Sequence, residues 1–196
     1  MELCFATNNH HKLEEVMAVL SGTFRVLSLK DISCNEELPE TQDTLIGNAQ
    51  QKAKYVRDHY HIPCFADDTG LEVESLKGEP GVYSARYAGP QRNSDDNIRL
   101  LLKNLEGVSN REGQFRTVIS LQLPLGEWLF EGLVKGTILK ERRGTDGFGY
   151  DPVFLPQGSI RTMAEMSLEE KNRISHRAVA VWRLVEFLEK NFRGEI

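Results

Sequence analysis

Apolar positions along the 196 residues recur with two different periods, and the switches between them divide the chain into strands and helices. Leu3-Cys4-Phe5-Ala6 is a short unbroken apolar run and reads as a buried strand. It passes into Thr7-Asn8-Asn9-His10-His11-Lys12, after which Leu13, Val16, Met17 and Leu20 fall on one helical face. Thr7, Asn8 or Asn9 can cap that helix. A second helix begins near Thr44, with Leu45, Ala49, Lys52, Ala53 and Val56 in register. Lys52 lies inside the apolar stripe, a position that calls for burial with a partner. Ile62 to Ala66 reads as another strand that breaks at Asp67-Asp68-Thr69-Gly70, before Leu71-Glu72-Val73 alternates again.

In the second half, Ser94 can cap a helix whose face is Ile98, Leu101, Leu102 and Leu105. Phe115, Thr117, Ile119, Leu121 and Leu123 alternate as a strand. Pro124-Leu125-Gly126-Glu127 is a hairpin turn, and Trp128 to Ile138 returns. A glycine- and aromatic-rich segment follows, Gly144 to Pro152. Ser167 with Glu170 three residues on is a capping box, and Ala178, Val181, Val185, Leu188 and Phe192 line a long final helix. On one straight helix Lys171, His176 and Arg177 would point in three directions, so the spacing predicts a break near Ile174-Ser175. Ser175 would then cap the last helix, with His176 and Arg177 in its first turn, where anions are favoured. Strands alternating with helices, together with one antiparallel hairpin, predict an α/β fold around a mixed sheet.

Composition narrows the function. Hydrophobic residues are 40% and charged residues 27% of the chain, as in ordinary globular proteins. The length suits a single domain over residues 1–196. No run approaches the ~20 apolar residues that span a bilayer, and Met1-Glu2-Leu3-Cys4-Phe5 is no secretory signal. The net charge of −5 argues against a basic nucleic-acid binder. Cys4, Cys34 and Cys64 are odd in number and widely spaced, which reads as buried, reduced thiols in a cytoplasmic protein. The histidines show no metal spacing: His59 and His61 flank a turn, and His10-His11 lie in a loop.

Several segments carry candidate chemistry. The Thr7–Lys12 loop joins a strand to a helix start, where free N–H groups and the helix dipole favour an anion; Lys12 adds a point charge suited to phosphate. Asp67 and Asp68 repel each other unless a cation or hydrogen bonds hold them. A hard ion such as Mg²⁺ fits such a pair, and Glu40 can supply another carboxylate. In Phe148-Gly149-Tyr150-Asp151, an aromatic ring can stack on a base while Gly149 lets the backbone come close; a tight turn packing one or both rings into the core is the competing reading. Lys52, Arg86, Lys171, His176 and Arg177 are candidate anion contacts; each alone is most often a surface charge or a salt-bridge partner, except Lys52, whose helix face argues for burial with a partner.

Taken together, Thr7-Asn8-Asn9-His10-His11-Lys12, Asn48-Ala49 with Lys52-Ala53, Ala66-Asp67-Asp68-Thr69-Gly70-Leu71, Tyr83-Ser84-Ala85-Arg86, Gly147 to Pro152 and Ser175-His176-Arg177 resemble the inosine triphosphate pyrophosphatase family. These segments run in the family's order along nearly the whole chain. The resemblance implies a long central mixed β-sheet flanked by helices in two lobes with a cleft between them, and a homodimer. It implies Mg²⁺-dependent hydrolysis of ITP, dITP and XTP to the monophosphate and pyrophosphate. Carried over residue by residue, it makes Thr7, Asn8, Asn9, His10, His11 and Lys12 the triphosphate loop, Lys52 a phosphate-side lysine and Thr69 a substrate contact. Asp68 takes the catalytic position, and Glu40 with Asp68 the metal positions. Phe148, Gly149, Tyr150, Asp151, Lys171, His176 and Arg177 take the base and sugar pocket. Gly47-Asn48 departs from the Glu-Asn common in bacterial members, leaving that glutamate's role to Glu40 or Asp67. Whether Asp67 or Asp68 contacts the attacking water stays open at this point, as does the block against GTP. A pyrophosphatase for modified or pyrimidine triphosphates, or a non-catalytic nucleotide sensor, would use many of the same residues; Asp68, Glu40 and Lys12 together favour catalysis.

Overall fold

A computed structural model describes residues 2–20 and 25–192. Seven strands, β1 (Glu2–Phe5), β2 (Arg25–Leu27), β3 (Cys64–Val73), β4 (Pro80–Gly81), β5 (Glu112–Leu123), β6 (Gly126–Ile138) and β7 (Phe154–Pro156), form one mixed sheet in the order β2-β1-β3-β5-β6-β7, with β4 on β3. β1 runs parallel to β2 and to β3, while β3–β4 and β6–β7 are antiparallel. The helices are α1 (His10–Leu20), α2 (Leu45–Tyr60), α3 (Ser94–Asn104), α4 (Leu168–Asn172) and α5 (His176–Asn191). The fold is thus the expected mixed α/β arrangement. No described helix is long and apolar enough to cross a membrane.

The chain divides into two compact units. Unit 1 takes in Met1–Asp68, Thr117–Gly132 and His176–Ile196; unit 2 takes in Thr69–Arg116 and Leu133–Ser175. Unit 1 has two apolar clusters. In one, Leu3, Phe5, Phe65 and Ile119 of the strands pack with Val16 and Leu20 of α1 and Val181, Leu184 and Leu188 of α5. The other gathers Cys4, Ala6, Leu29, Leu38, Val56 and Ala66. Unit 2 has its own core of Leu71, Val73, Ile98, Leu101, Phe115, Ile138, Tyr150 and Phe154. Burial of these side chains from water is the main force holding each unit.

All three cysteines are free and buried. Burial pushes the Cys4 and Cys64 thiols up to about 12, and the Cys34 thiol is raised as well. The capping box of Ser167 and Glu170 is present at α4. The chain also breaks where expected: α4 ends at Asn172, Ser175 N–H donates to Lys171 C=O, and α5 starts at His176.

Other expectations change. β3 does not break at Asp67–Gly70 but runs straight through it, because both carboxylates find buried partners in place of the solvent that a turn would give them. Asn93, not Ser94, caps α3, accepting from Asp96 N–H at 3.0 Å. His10 and His11 are not in a loop; they open α1. His59 lies in α2, and His61 ends it in the left-handed region at φ 55°. Met17 is half exposed while Glu15 is buried, so the inner face of α1 is turned from the apolar stripe toward a charged partner.

Candidate active site

Side chains alternate across a strand, so neighbouring residues serve opposite faces. Asp67 and Asp68 on β3 show this directly. Asp67, fully buried, accepts from Lys12 Nζ at 3.0 Å and from Arg177 Nε at 3.1 Å. Arg177 also donates to Glu15 of α1. Asp68 accepts from Asn48 Nδ2 at 3.0 Å and lies 3.7 Å from Lys52 Nζ. Lys52 donates to Glu40 at 2.5 Å. Its place in the apolar stripe is therefore met by two carboxylates, as its burial requires.

The two aspartates titrate in opposite directions. Burial alone would raise the Asp67 carboxyl, but Lys12, Arg177 and Lys52 together hold it well below the usual carboxylate range. Burial raises Asp68, and Glu40 adds to it, against partial relief from Lys52 and Lys12. Burial, with Lys52 and Arg177 nearby, lowers the Lys12 ammonium despite Asp67. Lys52 is buried too, but Asp68, Glu40 and Asp67 hold its ammonium above the ordinary value. Three cations thus favour the charged form of Asp67, while burial pushes Asp68 toward its neutral form.

The Thr7–Lys12 loop is built as a helix cap. Asn9 Oδ1 accepts from Lys12 N–H at 3.2 Å, and Thr7 Oγ1 accepts from Asn9 N–H at 3.2 Å. Asn8 donates to Glu36 C=O and accepts from Leu38 N–H, steadying the segment that leads to Glu40. His10 and His11 are largely exposed and turn to Glu14. Asn48 escaped the sequence reading as a site residue; its signal was a polar side chain in the apolar register of α2. It accepts from Gln42 N–H while donating to Asp68, fixing that carboxylate's orientation. At Gly47 a Cβ would meet Gln42 Cβ at 2.7 Å, so a glutamate there would have to displace that side chain.

Unit 2 presents a different arrangement. Thr69, the next residue of β3, is half-buried. Asp151, 3% exposed, accepts from Phe148 N–H at 2.9 Å and from Lys171 Nζ at 2.6 Å. The Lys171 ammonium lies 4.8 Å from the centre of the Phe148 ring, a cation–π distance. Gly147 and Gly149 take left-handed φ of 74° and 61°, and a Cβ at Gly149 would meet nothing within 4 Å. Phe148 is half-buried, whereas Tyr150 is packed in the core and donates its hydroxyl to Ser84 C=O at 2.9 Å. The structure thus groups Phe148, Asp151 and Lys171, but places His176 and Arg177 in unit 1. There His176 Nδ1 is 2.6 Å from Thr117 Oγ1, and Arg177 is 2% exposed. Arg86 lies over Tyr83 at 5.2 Å.

Among the described residues no three His, Cys, Asp or Glu gather as a metal-holding group. Glu40 and Asp68 nevertheless share one ammonium and both keep partly open side chains, 22% and 11% exposed. Two carboxylates of this kind fit a hard divalent ion that takes its remaining ligands from water and phosphate oxygens.

The Ham1 family model matches residues 3–187. A dITP/XTP pyrophosphatase of Flavobacterium johnsoniae is 53% identical over 188 residues, covering 96% of this chain and 98% of that protein. A dITP/XTP pyrophosphatase of Porphyromonas gingivalis is 54% identical over 95% of this chain and 97% of its own. The solved structure of the Staphylococcus aureus Ham1 protein superposes with a TM-score of 0.88 at 37% identity, covering 97% of this chain and 99% of that one. On sequence and on fold alike, the chain belongs to the Ham1 family.

Proposed function

We propose that the protein hydrolyses non-standard purine nucleoside triphosphates, ITP, dITP and XTP, to the monophosphate and pyrophosphate. The observation that carries this reading is how two adjacent buried carboxylates of β3 divide their partners, Lys12 and Arg177 on Asp67 against Asn48 and Lys52 on Asp68. Asp68 is raised and next to Lys52 and Glu40, while Asp67 is spent on holding Lys12 and Arg177. The relatives named dITP/XTP pyrophosphatase match over nearly the whole chain and support dITP and XTP among these substrates.

The start of α1 and Lys12 bind phosphate oxygens through backbone N–H groups and one ammonium. Lys52 adds positive charge beside Asp68. Asp68, oriented by Asn48, positions a water for attack on the α-phosphorus and takes its proton. A divalent ion at Glu40 and Asp68, with Mg²⁺ the natural choice, would offset charge on the triphosphate and on the departing pyrophosphate. In unit 2, Phe148 and the open backbone of Gly149 suit a purine ring, with Lys171 and Asp151 as polar neighbours. N–H donors aimed at O6 accept hypoxanthine and xanthine and oppose the adenine amino group, and a mismatch of that kind discriminates by about 10⁴-fold. Free buried thiols agree with a reducing compartment, the cytoplasm. The test is turnover of ITP, XTP, GTP and ATP with and without Mg²⁺, reading pyrophosphate against orthophosphate. Pyrophosphate from ITP and XTP is expected; orthophosphate alone, or no turnover, overturns the assignment.

A further inference from the structure

We propose that Tyr150 and Ser84 form a strut that holds the Phe148–Asp151 loop in register with β3 and so sets how sharply the enzyme distinguishes purines; this rests on the function proposed above. Every part of the strut lies in unit 2.

The loop is built from residues that would otherwise swing. Gly147 and Gly149 both sit in the left-handed region, which glycine enters and leaves at little cost. Two anchors restrain them. One is Asp151, tied to Lys171 of α4 and to Phe148 N–H. The other is the Tyr150 hydroxyl, which donates to Ser84 C=O at 2.9 Å. Tyr150 is 4% exposed with its ring in the core, so the ring is spent on packing and the hydroxyl adds a second link out of the loop beside the one from Asp151 to Lys171.

Ser84 passes that link to β3. Its Oγ accepts from Leu71 N–H at 2.8 Å and donates to Gly81 C=O at 2.6 Å. Leu71 is two residues past Thr69 on the same strand. At Gly70 a Cβ would meet Gly81 C=O at 2.4 Å, so β3 and β4 approach at a distance only glycine permits. Asn97 Nδ2 also donates to the Ser84 and Ala85 carbonyls, pinning the turn from another side. The chain of bonds therefore runs from the loop through Tyr150 and Ser84 to the backbone just after Thr69. Discrimination at a purine edge depends on where loop amides stand to a fraction of an ångström. Tyr150 and Ser84 are positioning residues that act through those amides without touching the nucleotide.

Tyr150→Phe removes the hydroxyl and keeps the ring. KM for ITP should rise about tenfold with kcat within about twofold, and the kcat/KM ratio of ITP over ATP should fall about tenfold. Ser84→Ala cuts the tie to β3 from the other end, keeps its carbonyl, and should lower the same ratio; it serves also if Tyr150→Phe fails to fold. A variant that melts earlier while its KM and ITP-over-ATP ratio stay at the wild-type values overturns the strut. Wild-type protein that releases no pyrophosphate from ITP overturns the function itself, and this proposal with it.

Discussion

Unit 1 and unit 2 hold their buried charges differently. In unit 1, Lys12, Asp67, Arg177 and Glu15 form one linked set, and Lys52, Glu40 and Asp68 form another. In unit 2 the corresponding feature is the buried pair of Lys171 with Asp151, beside an aromatic ring and a glycine-rich loop. Dense charge suits a polyphosphate and a leaving group that gathers negative charge. A neutral base is sorted by shape and by which hydrogen-bond donors are left unpaired. Under the function proposed above, the contrast would divide the chemistry, in unit 1, from the choice of substrate, in unit 2.

The largest effect should come from splitting the two aspartates. Asp68→Asn should lower kcat for pyrophosphate release by about 10²–10⁴-fold while the melting temperature holds. Asp67→Asn should act on the fold, since it leaves Lys12 and Arg177 buried without their shared carboxylate; about 3–5 kcal/mol of stability should be lost in urea unfolding. Two variants that behave alike would erase the distinction between the faces of β3.

The pH profile sharpens the same point. Asp68 is raised, so kcat/KM should fall tenfold per unit as pH drops through a value above the ordinary carboxylate range. Asp67 is depressed; its stabilising contribution is present above the unfolded carboxyl value and is lost only as pH falls toward the lower folded one. Activity should therefore fail at a higher pH than the fold, as checked by parallel rate and circular-dichroism titrations. Lys12, lowered, should give an alkaline limb below the usual lysine value.

Gly147→Ala tests unit 2. A Cβ there would lie 2.2 Å from Asp151 Oδ2, on a residue with φ 74°. Strain of about 1–3 kcal/mol should appear as a rise in KM for ITP of up to about a hundredfold, with kcat affected less. Ser167→Ala is the mildest change; loss of the capping box at α4 should cost about 1 kcal/mol in urea unfolding.

Legibility in the sequence followed the range of the interactions. The Ser167–Glu170 box and the break before His176 are local and were readable from spacing. Lys52 announced a partner by sitting in an apolar register, and Glu40 and Asp68 supply it. Glu15 with Arg177 joins residues 162 positions apart; nothing near either residue signals the other, so the apolar stripe placed Met17 on the inner face and gave no sign of Glu15. Asp67-Asp68-Thr69-Gly70 has the composition of a turn, yet tertiary partners on both faces keep it a strand. The Tyr150 hydroxyl reaches Ser84 from 66 positions away, which no periodicity predicts.

The deep seating of Cys4, Cys34 and Cys64 makes the chain quiet toward electrophiles, because the reactive thiolate is scarce at neutral pH. A cysteine introduced on the exposed tip at Leu125 would outcompete all three for a maleimide. A fluorophore could then be attached at one chosen point without first rebuilding the interior.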